Sequence, residues 1–302
     1  MPPRPRLSLP GASRGSGSHL TISEPLSRPL LSAPKKISRA AYSHDSGMRR
    51  ESVADTITAP PSRWVSDVRS RVGKCLMFGC NPEQVRRAAG MMAVIGKDWR
   101  TLSAGSDGFL VGECGLENQQ VLWGEMDSFG HVNNTHYNRW AETSRVNWTH
   151  YFGRVYPYDR ARWAGLMTPK EVGLIMKSIK TDYKFPVTYP DTFSAYHKLS
   201  LKPEDTHTSL FLEGIIFSHR HQRVAARLTE DIAIYDYTKA SKTTLPAFTL
   251  GPLDVTWWSQ EEAIIEARRK IWMLLEDVRD LERETWDRED AVEDLGGPGV
   301  KS

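Results

Sequence analysis

Three hydrophobic periods follow one another along this chain. Residues 1 to about 60 show no hydrophobic period, and from about 61 to 105 the spacing is helical. Asn81-Pro82-Glu83-Gln84 can cap and open a helix, with Gln84 placed to return a hydrogen bond. Val85, Ala88, Ala89, Met92 and Ile95 then form one apolar stripe that must pack on something. GSDGFL, at 105–110, reads as a turn-rich hinge. A strand is expected from Gln120 to Met126, then a loop, then a helix from Asn134 carrying Tyr137, Trp140, Ala141, Val146, Trp148, Tyr151 and Phe152. That helix is apolar on more than one side, so it should be buried over most of its circumference, with Gly153 as its stop.

Four strands are expected next, over 173–185, 191–201, 207–218 and 223–237. Pro186 to Pro190, Lys202 to Asp205 and His219 to Gln222 separate them. In the last strand Val224, Ala226, Leu228, Ile232 and Ile234 share a phase, the mark of one buried face. Glu230 falls on that face. A bulge or an edge position would explain it, as would a functional carboxylate. From 256 onward Ile264, Ile271 and Val278 repeat every seven residues, with Ala267, Leu274 and Leu281 as companions. That pattern fits either a short coiled coil or an amphipathic helix lying on its own domain. One helix wrapped by an antiparallel sheet makes the fold class α+β. The expected organisation is a targeting segment over 1–60, a helical pre-domain and hinge over 61–117, a central domain over 118–250, and a helix with an acidic tail over 251–302.

Composition narrows the class. The 302 residues are 39% hydrophobic, enough for a sizeable core, and the net charge of +3 does not argue for nucleic acid. No run of 18 apolar residues is present, so no membrane span is expected. Cys75, Cys80 and Cys114 fit neither a disulfide framework nor a zinc spacing, which suits a reducing compartment. Arg4, Arg6, Arg14, Arg28, Lys35, Lys36, Arg39, Arg49 and Arg50 face only Glu24 and Asp45 in the first fifty residues. An Arg- and Ser-rich, acid-poor start is the composition of a mitochondrial transit segment, so the matrix is the expected location.

The chemistry concentrates in GEMDSFGHVNNTHYNRWAE, residues 124–142. A helix starting near Asn134 points its first, unpaired N–H groups back at the loop from Asp127 to Asn133. Such an end carries about half a positive charge and can polarise a carbonyl oxygen. Asp127, on a loop that Gly130 lets bend sharply, could attack an acyl carbon or take a proton from water. His131 and Asn133 could orient that water or the substrate. The alternatives are that Asp127 only forms the turn, that His131 satisfies the loop backbone, and that Asn133 or Asn134 caps the helix.

Asp127-x-x-Gly130-His131-Val132-Asn133-Asn134-x-x-Tyr137, with Trp140, Glu142 and Arg145 beyond it, resembles the signature of hotdog-fold acyl-CoA thioesterases. It looks most like the 4-hydroxybenzoyl-CoA thioesterase group, and MDSFGHVNN is also similar to plant acyl-carrier-protein thioesterases. The likeness continues through IKTDYKFPVTYPDTF, at Tyr183 and Pro186, and ends near TTLPAF, at 243–248. It implies a long helix wrapped by a curved antiparallel sheet, two subunits sharing one continuous sheet as a homodimer or homotetramer, and an acyl pocket at their interface. It implies Asp127 as nucleophile or base, His131 and Asn133 beside it, and Gly130, Asn134, Tyr137 and Trp140 around the substrate. The substrate would be an acyl-CoA or acyl-carrier-protein thioester, with no metal or redox cofactor. Phe129 stands where the carrier-protein branch has Asn, and Glu125 stands where many hotdog thioesterases have Asp. Glu142 and Arg145 have the spacing of a helix-surface pair. Lys177, Lys180 and Lys184 could meet coenzyme A phosphates. The other reading is a non-catalytic hotdog module serving as a structural subunit of a larger mitochondrial assembly.

Overall fold

A computed structural model describes residues 56–112 and 114–293. The expected targeting segment therefore lies, up to residue 55, outside the described residues. Helices α1 (Trp64–Met77) and α2 (Pro82–Gly105) come first, and then strand β1 (Leu116–Gln120). Helix α3 (Asn134–Val155) and the short α4 (Arg160–Gly165) follow. Strands β2 (Val172–Tyr183), β3 (Thr192–Leu199), β4 (Ser209–Ser218), β5 (Arg223–Asp236) and β6 (Ser241–Lys242) lead to the long α5 (Ala247–Thr285). The sheet is antiparallel in the order β1-β3-β4-β5-β2, with β6 on the end of β5. Curled around α3, it is the hotdog fold.

Why β3 and β4 are buried at most of their positions, on both faces, follows from their surroundings. Ala195 and its partner Ile216 face α3, where Tyr137, Trp140 and Ala141 meet them. The next pair, Tyr196 and Ile215, turns to the opposite face. There α1, α2 and α5 form a second helical layer, so both sides of the strands are dry. Farther along α3, Trp148 and Phe152 pack with Leu199, Leu212, Ile232 and Ile234. The edge strands β1 and β2 keep runs of half-open and exposed positions.

The heptad residues settle on their own chain. Ile264, Ala267, Ile271, Leu274, Val278 and Leu281 are all buried, most of them against Val68, Val72, Ile95 and Trp99. Arg71 clamps Glu282 across the layer through Nε (2.9 Å) and Nη2 (2.6 Å). Ile271 is fully buried, so Ile271→Ala should cost about 2–5 kcal/mol, read as a fall in the urea midpoint with an unchanged slope.

Several boundaries differ from expectation. The strand expected over 120–126 stops at Gln120, because Trp123–Glu125 closes a tight turn. Glu125 N–H bonds Leu122 O at 3.0 Å while its own carboxylate takes Leu122 N–H at 2.8 Å. Helix α3 runs through Gly153 to Val155. A Cβ at Gly153 would lie 3.4 Å from Arg160 Cα, an ordinary contact, so the helix passes close to α4 here without needing the glycine to stop it. Helix α5 begins at Ala247 and so crosses the expected boundary at 251. The capping box at Asn81 and Gln84 forms in both directions, at 2.9 Å each.

One polar seam joins α2 to the sheet. Arg100 reaches Glu117 Oε2 (2.9 Å) and His219 Nε2 (3.1 Å), and Ser194 Oγ lies 3.0 Å from the same nitrogen. A guanidinium only donates, so His219 Nε2 must accept and carry no proton. Burial and the Arg100 charge lower the His219 pKa from 6.5, outweighing Asp191 and Glu117. For a base held this way the unfolded chain takes up the proton first. Its stabilising contribution is full above about 6.5 and fades as pH falls below that value. Urea unfolding from pH 8 down to 5 should show this loss, and His219→Gln, which keeps an acceptor, should flatten it.

Candidate active site

The loop before α3 is a two-stranded ribbon. Met126 bridges Val132, Asp127 N–H bonds His131 O (2.8 Å), and Asn133 N–H bonds Glu125 O (2.9 Å). Side chains alternate along such a ribbon and match across it. Val132 is buried in the core and Met126 packs on it. The alternate positions Glu125, Asp127, His131 and Asn133 therefore share the other face. Gly130, at φ +74°, makes the tip.

Asp127 sits at that tip. Its Oδ1 accepts Phe129 N–H at 2.9 Å and His131 N–H at 3.4 Å. Its Oδ2 has no partner among the described residues. The carboxylate thus shapes its own turn with one oxygen and leaves the other open. It is two ladder positions, roughly 7 Å, out from the helix cap. The acid beside the helix mouth is Glu125. Its Oε1 takes Trp140 Nε1–H (3.3 Å) and lies 3.6 Å from His136 Nδ1. Glu125 and His136 were not among the expected site residues. The sign available in the sequence was Glu125's position two residues before Asp127, which sets both on one face of a ribbon.

The other expected site residues divide. Asn133 caps α3 by accepting Thr135 N–H at 3.0 Å, and the N–H of Asn134 keeps no acceptor among the described residues. Asn134 O accepts Tyr183 O–H at 3.2 Å. Tyr137 and Trp140 are buried core groups. Trp140 stacks on Phe193 at 3.8 Å, and Tyr137 Oη accepts Val187 N–H at 3.1 Å, burial raising the phenol's pKa. The expected pair of Glu142 with Arg145 gives way to a tertiary one. Arg145 Nη1 turns inward to the fully buried Glu230, 2.7 Å from Oε1. Glu230 is neither at a bulge nor at an edge, since β5 runs between β4 and β2.

His197 Nε2 lies 3.4 Å from Glu230 Oε1, and its Nδ1 is 3.0 Å from Ser144 Oγ. The order Ser144–His197–Glu230 is that of a nucleophile with its base and acid. Yet Ser144 Oγ is fully buried and gives its proton to Ala195 O (2.8 Å), so it has no path to a substrate. Burial alone would raise the Glu230 carboxyl; His197 and Arg145 overcome it and hold the group below its usual range.

Two cavities flank these groups. One of about 160 Å³ lies between α3 and the sheet, walled by Trp148, Leu174, Met176, Leu212 and Ile232, with Glu142 and Arg145 on its rim. A cleft of about 420 Å³ lies at the β1–β3 end of the sheet, beside Tyr189, Asp191, His219 and Arg220. Asp127 lines neither; it borders open surface next to Phe129, which is 83% exposed. Lys177 and Lys180 are paired with Asp231 and Asp182. Among the described residues no group of three or more His, Cys, Asp or Glu is placed to hold a metal ion, and no helix is long and apolar enough to cross a membrane.

Comparison with curated proteins found no match. Among solved structures, a protein from Pseudomonas aeruginosa described as a candidate thioesterase is 22% identical, with a TM-score of 0.37 over 46% of this chain and 98% of that one. A thioesterase from Thermus thermophilus, complexed with coenzyme A and zinc, is 18% identical, with a TM-score of 0.35 over 54% of this chain and 96% of that one. A DHNA-CoA thioesterase from Staphylococcus aureus is 12% identical, with a TM-score of 0.35 over 52% of this chain and 93% of that one. The family model described as the Thioesterase-like superfamily matches residues 121–253. The wrapped helix, the ribbon that carries Asp127 and the four long strands all lie inside that match, so residues 121–253 form a hotdog-fold domain similar to the Thioesterase-like superfamily.

Proposed function

We propose that this chain hydrolyses acyl thioesters to free acid and thiol, with Asp127 as nucleophile or general base. The observation that carries the reading is the Asp127 carboxylate. It is fixed at the tip of the ribbon by two backbone N–H bonds through one oxygen, with the other open, inside the segment that matches the thioesterase-like model. As a base, Asp127 takes a proton from water while the oxygen attacks the acyl carbon. The C–S bond then breaks and the sulfur leaves with the pair, collecting a proton. As a nucleophile, Asp127 attacks the acyl carbon, the C–S bond breaks with release of the thiolate, and water then opens the acyl anhydride to free acid and the restored carboxylate. The free N–H of Asn134 at the helix mouth supports polarisation of the thioester carbonyl.

Strand β2 is 12 residues long and, among the described residues, pairs only with β5, which leaves one edge open to pairing with a second copy. The Arg-rich first fifty residues support a mitochondrial setting. Purified protein incubated with short, long and aromatic acyl-CoAs, and with acyl-carrier-protein thioesters, should release free thiol. An inert protein across that whole panel would leave the structural-subunit reading.

A further inference from the structure

Two half-buried titratable groups, Glu125 and His136, meet at the mouth of α3. Both oxygens of Glu125 are held: Oε2 accepts Leu122 N–H at 2.8 Å and Oε1 accepts Trp140 Nε1–H at 3.3 Å. The carboxylate is thus fixed where it lies, 3.6 Å from His136 Nδ1. That contact is looser than a hydrogen bond, as such pairs commonly are before a substrate closes over them. A carboxylate only accepts, so it favours the neutral imidazole with its proton on Nδ1 and its lone pair on Nε2. The Trp140 ring flanks the imidazole, its centroid 6.5 Å away. Among the described residues Nε2 has no hydrogen-bond partner, and it is not sealed in the interior.

The meeting with Glu125 places His136 beside the ribbon face that carries Asp127. Met126, between Glu125 and Asp127, turns to the core, so the two acids share the outer face. They stand two ladder positions apart, roughly 7 Å. Two catalytic groups about 6.5–9.5 Å apart leave room for a water between them. Asp127 keeps Oδ1 on the Phe129 and His131 N–H groups, which leaves Oδ2 for an acyl carbon.

We infer that His136 is the general base of the hydrolysis, positioned by Glu125, and that Asp127 is the nucleophile. The inference rests on the thioesterase reading and assigns its second step. Asp127 Oδ2 bonds to the acyl carbon, the C–S bond breaks, and the thiolate leaves with the electron pair. His136 Nε2 then takes a proton from water while the water oxygen bonds to the acyl carbon of the anhydride. The bond from that carbon to Asp127 breaks, freeing the acid and returning the electron pair to the carboxylate. The proton on Nε2 passes through solvent to the thiolate. Glu125 balances the imidazolium while it lasts. His136 fills one of the two open positions in Asn134-x-x-Tyr137, so this base belongs to the chain rather than to the motif.

Rapid-quench kinetics on the full chain, with the acyl-CoA it turns over best, separates the two steps. His136→Gln should release one thiol per chain at the wild-type rate and then turn over about 10²–10⁴-fold more slowly. Intact mass after the quench should show the chain carrying one acyl group. Glu125→Gln should keep the burst and slow the second phase by about 10²-fold or more, because an amide can donate to Nδ1 and favour the wrong tautomer. A side chain that only supported the fold would not slow one phase and spare the other. Added imidazole should restore the second phase of His136→Ala and leave Asp127→Asn without a burst. A His136→Gln protein that turns over at the wild-type rate would overturn the inference and leave the hydrolase standing. So would a His136→Ala protein with no burst and no response to imidazole. A wild type that releases no thiol removes both.

Discussion

Asp127→Asn lowers thiol release from the best acyl-CoA by about two to four orders of magnitude, the range expected when a positioned base or nucleophile is lost. The substitution separates chemistry from architecture. Asn keeps an oxygen that can accept the Phe129 and His131 N–H bonds, so the tip of the ribbon survives. What disappears is the charge and basicity of the open oxygen. Unfolding midpoints of the two proteins should coincide while kcat falls. A variant that turns over at the wild-type rate would show that Asp127 only closes its turn.

The second large effect is on stability. Arg145→Met leaves the Glu230 carboxylate fully buried without its guanidinium, and its Oε2 already has no partner. Removing one member of a buried pair costs about 3–5 kcal/mol. At roughly 2–4 °C per kcal/mol for a domain of this size, Tm should drop by about 10 °C. Replacing both members, Arg145→Met with Glu230→Met, should recover much of that loss because no charge stays behind. The pH dependence has a definite sign. In the native protein the carboxyl's pKa is held below its usual 4.5, so the stability it adds is present above that pH and fades as pH falls below it. Without Arg145 the carboxyl takes a proton at higher pH. The variant's deficit should therefore be greatest near neutrality and shrink on acidification, as paired urea titrations would show.

Glu230 also marks how far reading the chain could go. Alternation along β5 set it on the buried face, because a strand's period is a local property. Its partner was beyond reach: Arg145 lies 85 residues away on α3. The local rule for helices offered Glu142 instead, and tertiary packing overrode it. Strands β2 to β5 fall within a few residues of where the turns at 186–190, 202–205 and 219–222 bounded them, and α3 starts at Asn134 as its cap demanded. The helical stripes were equally legible as stripes, but a stripe does not name what covers it. That α2 and α5 would join over the outer face of β3 and β4 depended on long-range packing. At the ribbon the motif located Asp127. Only the ladder showed that Glu125, two positions nearer the helix, holds Trp140 and approaches His136.

The clamp between Arg71 and Glu282 joins residues 211 apart in the chain. The first two helices thus wait for the last one: their apolar stripes are made well before the helix that covers them, which lies some 211 residues further along the chain. Until then Val68, Val72 and Ile95 have no completed shelter, and closure of so long a loop is slow. The outer layer is therefore where folding must join the most distant stretches of the chain.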